Sequence, residues 1–174
     1  MSSTEATDSD DPFESGRIAF AFDFATMWTG SGASMMDGRV LGYLMIMRQP
    51  YISSADLARV LTASSGSVSM STRRLVDAGF IKRHIIPGDR SHYFHADVDI
   101  WGSWLAGERR YLDRQRARIQ DGMALLEGSD DPGDQDALRR MRNGRDYMAW
   151  LRDYHYKMLE AWEAFKAERD QGAG

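Results

Sequence analysis

With 174 residues, 43% of them apolar, and a net charge of −4, the chain suits one domain or a small module with an oligomerising appendage; global disorder is excluded. There is no cysteine, which rules out disulfides, thiolate zinc sites and thiol redox sensing. No apolar run approaches a membrane span and the first fifteen residues are acidic, unlike a secretory leader, so a cytoplasmic protein that does not enter membranes is expected.

Residues 1–14 carry Glu5, Asp8, Asp10, Asp11 and Glu14 with no Lys or Arg, and read as a mobile acidic tail. From Ser15 to Thr29, Ile18, Phe20, Phe22, Phe24, Met27 and Trp28 alternate partly as in a strand. The Ile18/Phe22 and Phe24/Met27/Trp28 spacings favour a helix with a wide apolar face, stopped by Gly30-Ser31-Gly32. A second helix is expected over Ser34–Met47, with Met36, Val40, Tyr43, Leu44 and Met47 on one face and Gln49-Pro50 ending it. Residues 15–48 thus form N-terminal core or dimerisation helices.

Residues 49–97 form the central module. Ser53 or Ser54 caps a short helix whose Leu57, Val60 and Leu61 point inward, and Thr62-Ala63-Ser64-Ser65 makes a turn. Ser64 or Ser65 caps the next helix, which runs to Ala78 and closes on Gly79. Two strands follow, Phe80–Ile86 and Ser91–Ala96, around a Pro87-Gly88-Asp89-Arg90 turn. The order is helix, turn, helix, β-wing. Two long helices, about 98–127 and 135–168, complete a C-terminal dimerisation segment over 98–170. Trp101, Leu105, Leu112, Ile119 and Leu126 stripe the first. The second has a stripe too wide for one neighbouring helix to cover. The fold class is mostly α (α+β): a winged helix-turn-helix between N- and C-terminal dimerisation helices.

Between residues 53 and 96, Arg59, Arg73, Arg74, Lys82, Arg83 and Arg90 face only Asp56, Asp77 and Asp89, a local balance of +3 inside an acidic chain. The sign near the phosphates matters more than the chain average. On the Ser65–Ala78 helix, Val68, Thr72, Leu75 and Val76 share an inward face. Ser67, Met70, Ser71, Arg74 and Asp77 are expected outward, with Arg73 at the side. Small serines at the start of that helix permit close approach to base edges and phosphate. Arg90 at the tip suits a narrow minor groove, and Lys82 and Arg83 the flanking backbone.

The stretch SSADLARVLTASSGSVSMSTRRLVDAGFIKRHIIPGDRSHYF resembles the winged helix-turn-helix of the multiple-antibiotic-resistance regulator (MarR) family. It is most similar to an actinobacterial branch, related to the glycine-betaine-type regulators, that controls transport and efflux genes. The resemblance implies a homodimer on an imperfect palindrome in double-stranded DNA, usually repressing. Carried over by position, it implies DNA contacts from Ser65, Ser67, Ser69, Ser71, Arg73 and Arg74 and from Asp89 and Arg90, with Asp89 orienting Arg90. Met70, Lys82 and Arg83 join them from the reading of the residues alone. It implies a repressor of transport or efflux genes.

Methionines and aromatics can line an adaptable pocket for a lipophilic small-molecule effector, for which Met36, Tyr43, Trp101, Trp104 and Tyr111 are the candidates; the same residues also suit core or dimer interface. His84, His92 and His95 lack a thiolate or a carboxylate at ligand spacing, and His92 and His95 fall on opposite strand faces, so no metal or other cofactor is expected. With no phosphate loop, nucleophile elbow or paired-carboxylate motif, the chain does not read as an enzyme. The competing reading is a winged-helix protein-interaction module that docks a partner on its aromatic C-terminal helices.

Overall fold

The computed structural model describes residues 12–30 and 33–172, so most of the acidic tail and the Ser31-Gly32 stop lie outside the described residues. The chain divides into two compact units between Val98 and Asp99.

The first unit begins with α1 (Glu14–Thr29) and α2 (Met35–Ile46). Ser34 caps α2 by accepting the Met36 amide at 3.2 Å. The α1 seam is not the aromatic face expected from its hydrophobic pattern. Ala21 and Ala25 are its buried residues, and they meet Gly38 and Gly42 of α2. A Cβ placed on Gly38 would lie 2.6 Å from the Ala25 Cα, so these helices touch backbone to backbone. The aromatics flank the seam: Phe24 stacks on Trp28 at 5.5 Å, and Trp28 meets the edge of Phe80 at 5.1 Å.

Ser53 caps α3 (Ser54–Val60) by accepting the Asp56 amide at 3.0 Å, and Leu57 and Leu61 are fully enclosed. Thr62 turns the chain at φ 48°, after which Ser64 caps α4 (Ser65–Ala78) through the Ser67 amide. Gly79 ends α4 at φ 88°, a left-handed conformation that favours glycine, and the Phe80 amide bonds back to the Leu75 carbonyl at 2.9 Å.

The wing strands are shorter than expected, β2 (Lys82–His84) and β3 (Tyr93–His95). They form part of a three-stranded sheet, because Ile52–Ser53 forms β1, a strand that sequence reading missed. The order is β1-β3-β2, all antiparallel, with Ile52 opposite Phe94 and Arg83 opposite Phe94 on the other side. The central strand therefore ties the wing to the residue that caps α3. Phe94 is the buried residue of β3 and anchors the wing in the core.

The second unit is an antiparallel pair of long helices, α5 (Ile100–Leu125) and α6 (Pro132–Gly172). Proline at the first position of α6 costs no hydrogen bond, and it starts the helix three residues earlier than the hydrophobic pattern suggested. Ile100, Leu105, Leu112 and Leu138 supply the buried apolar side chains of the pair. Among the described residues, no helix is long and apolar enough to cross a membrane.

Candidate nucleic-acid interface

The exposed side of α4 is polar and cationic. Ser65, Gly66, Ser69, Met70, Arg73 and Asp77 are exposed and Ser67 is half-buried, while Val68, Thr72 and Leu75 pack inward. The first-turn amides of such a helix have no intrahelical acceptor and carry its positive dipole end, which favours phosphate. Arg73 is exposed and, among the described residues, has no carboxylate partner.

Ser71 corrects the expected outward face. It is fully buried and its hydroxyl donates to Asp37 of α2, so it cannot reach a base edge. Arg74 is tied to the same carboxylate through a fork, Nε to Oδ2 at 2.9 Å and Nη2 to Oδ1 at 2.6 Å. The Asp37 hydrogen bond holds the Arg74 guanidinium above its ordinary pKa. Asp37 itself is only 7% exposed.

The wing tip is a turn closed by the Asp89 amide on the Ile86 carbonyl at 3.1 Å, with Gly88 at φ 85°. Among the described residues the Asp89 carboxylate is not ion-paired with the Arg90 guanidinium, so its hold on Arg90 runs through the turn. The carboxylate accepts the Ser91 amide and the Tyr93 hydroxyl, each at 2.7 Å, and so shapes the tip backbone. The bond from Ser91, followed by that from Tyr93, holds Asp89 below the usual carboxylate range. Arg83 and Arg90 are exposed and unpaired among the described residues, whereas Lys82 is ion-paired to Asp97 at 2.5 Å. Beneath the wing, Tyr51 stacks on His84 at 4.1 Å, and His95 lies 3.6 Å from Asp97. Among the described residues, no three His, Asp or Glu side chains are placed to share a metal ion.

The five effector candidates fall in both units, Met36 and Tyr43 in the first and Trp101, Trp104 and Tyr111 in the second. Tyr43 is fully buried and donates to Glu14 at 2.7 Å, which makes it part of the α1–α2 core rather than a pocket wall. Met36 is half-buried on α2 in the same unit. Trp101 and Trp104 line an apolar groove of about 590 Å³ in the second unit, with Leu105, Met158, Trp162 and Phe165. At that end of the pair Asp99 caps α5 through the Gly102 amide and accepts Trp162 Nε1 at 2.9 Å and Lys166 Nζ at 2.5 Å. Burial alone would raise the Asp99 pKa; the bonds from Lys166, Trp162 and Gly102 together hold it below the usual range. Tyr111 lines a separate groove of about 630 Å³ with Arg114, Ile119 and Met148.

Sequence reading missed Asp37 and Arg39. Arg39 donates to the Leu61 carbonyl at the turn before α4, and its guanidinium lies 3.9 Å over the Phe22 ring. An acid and a base two residues apart at the start of an apolar helix were the available signal.

Residues 44–92 match the model of the MarR family. The chain is 37% identical over 116 residues to the HTH-type transcriptional regulator MmpR5 of Mycobacterium tuberculosis, a match covering 66% of this chain and 67% of that protein. Its fold is similar to a crystal structure of a transcriptional regulator, at a TM-score of 0.73 and 26% identity, covering 86% of this chain and 99% of the other.

Proposed function

Because this chain belongs to the MarR family of DNA-binding transcriptional regulators, we propose that it acts as a homodimeric repressor on an imperfect palindromic operator. Transport or efflux genes are its proposed targets, from the resemblance of its ASSG–RRL–PGDR residues to the branch that controls them, and a lipophilic small molecule is the proposed releasing signal.

The observation that carries this reading is the sorting of cations in the first unit. Arg74 and Lys82 have carboxylate partners, while Arg73, Arg83 and Arg90 are exposed without one among the described residues. Unpaired arginines are the groups free to neutralise phosphates, and they stand on the two elements that a winged helix-turn-helix lays against duplex DNA. Ser65, Ser67, Ser69 and Met70 complete the proposed α4 contact set, and Asp89 contributes by shaping the turn that carries Arg90.

The dimer reading is supported by the faces left uncovered. Tyr147, Trp150 and Tyr154 follow one another along α6, each about half exposed, and Phe20, Phe22 and Met27 are exposed on α1. The groove beside Trp101 and Trp104 has the size and apolar lining of a small-molecule site, which supports the effector reading. A protein-docking role for α4 would call for an apolar outer face, and Met70 is the only large apolar side chain exposed there.

The test is a gel shift on the duplex upstream of the chain's own coding region, at two salt concentrations, against a scrambled duplex. Selective retention that weakens in Arg90→Ala is expected. Binding equal on both duplexes would overturn the regulator reading.

A further inference from the structure

Resting on the DNA-binding reading above, we propose that Asp37 is a positioning residue for operator selectivity: it sets the roll of α4, and Arg74 acts through it rather than by touching DNA. A nearly enclosed carboxylate on α2 receives three bonds, all from α4: one from the Ser71 hydroxyl and two from the Arg74 fork. Ser71 and Arg74 are three residues apart, so they hold one face of α4 at two successive turns. Two residues further along α2, Arg39 grips the Leu61 carbonyl at the turn that leads into α4. The two grips fix where α4 begins and how it is rotated.

Rotation is what base reading is sensitive to. Side chains reach about 5–6 Å from a helix axis, so a roll of about 20° carries an outer contact through roughly 2 Å. Hydrogen bonds to base edges tolerate a few tenths of an ångström, whereas long cationic side chains follow phosphates across such a shift. Loosening the grip therefore removes discrimination before it removes affinity for DNA as such. Arg73, the neighbour of Arg74 in sequence and about 100° further round the helix, is the exposed cation whose direction the Asp37 fork determines.

The charge change in Asp37→Asn makes the test decisive. Removing a negative charge beside a DNA-facing helix strengthens binding to any duplex. If Arg74 were a phosphate contact restrained by Asp37, freeing it would tighten operator binding and steepen the salt dependence by about one unit. Positioning predicts the opposite sign on the operator alone.

The probes are a duplex enriched from a random library by the wild-type protein and a scrambled duplex of the same length. For Asp37→Asn, affinity for the enriched duplex should fall about ten-fold or more, the scale of one lost bidentate base contact, with scrambled binding unchanged or tighter. A merely structural loss would weaken both duplexes together as the folded fraction drops. Arg74→Lys, which keeps the charge but not the fork, should lose selectivity at an unchanged salt slope, and it decides the matter alone if Asp37→Asn does not fold. Unchanged or tighter operator binding in Asp37→Asn, or unchanged selectivity in Arg74→Lys, overturns the proposal. Failure of the wild type to prefer the enriched duplex would instead overturn the DNA-binding reading itself.

Discussion

Replacing Gly38 by alanine is the most direct test of how the first unit is packed. Two effects oppose each other. Alanine is favoured over glycine within a helix by about 1 kcal/mol. Against this, the new Cβ would stand 2.6 Å from the Ala25 Cα and 2.9 Å from its Cβ, and the obstacle is backbone that no rotamer change can move. Restoring ordinary contact at 3.4 Å requires α1 and α2 to part by about 0.8 Å at their crossing. A gap of that size forfeits a quarter to a half of each affected dispersion contact, and overpacking of this kind costs about 1–3 kcal/mol. Because the obstacle is backbone the cost falls in the upper part of that range, about 2–3 kcal/mol, so after the helical gain Gly38→Ala should be about 1–2 kcal/mol less stable, with the melting temperature lowered by several degrees. Gly42 gives an internal comparison, since its added Cβ meets the Ala21 Cα at 3.1 Å; the same substitution there should be milder. Gly16, with nothing within 4 Å, should accept alanine with no loss or a gain of a few tenths of a kcal/mol. Thermal and urea unfolding at fixed protein concentration measure all three. A Gly38→Ala variant as stable as wild type, or a reversed order of the three, would refute the account of a backbone-contact seam.

In salt titrations, Arg73→Ala and Arg90→Ala should each weaken duplex binding and lower the salt slope by about one unit, while Arg145→Ala, whose guanidinium pairs with Asp146, should leave the slope unchanged. Tyr43→Phe should cost about 1 kcal/mol through the lost bond to Glu14, with no effect on binding of a lipophilic probe followed by tryptophan fluorescence; Trp104→Ala should weaken that probe. The depressed Asp99 pKa stabilises the fold above its ordinary value of 3.8 and ceases to do so as pH falls through the lower, folded-state value. Acid unfolding of Asp99→Asn should therefore show a shallower loss of stability below pH 3.8 than wild type, and identical acid profiles would discount the Lys166–Trp162 tie.

What could be read from the chain was what is decided locally. Caps at Ser53 and Ser64 and the left-handed stop at Gly79 depend on a few neighbouring residues, and they stand within a residue of where spacing placed them. Pairing across long separations was not legible. Ser71 looks outward by helical periodicity and becomes interior because Asp37, 34 residues earlier, reaches over it. β1 has two residues, too few for any alternating pattern, and exists only because β3 lies beside it. The α1 seam was hidden because its aromatics dominate the hydrophobic pattern while the alanines do the packing; Gly38 and Gly42, four apart on α2, were the trace left in the sequence. Tyr43 failed as a pocket residue for a similar reason, since its hydroxyl had a partner in Glu14 at the start of α1.

The 41 residues of α6 enclose one side chain, Leu138, and leave ring after ring facing outward. Even a long helix in a protein takes most of its stability from what packs on its apolar face rather than from its own hydrogen bonding. In the proposed homodimer its melting point is consequently a property of the company it keeps: dilution, or a competitor for those rings, should lower it without altering a single internal contact.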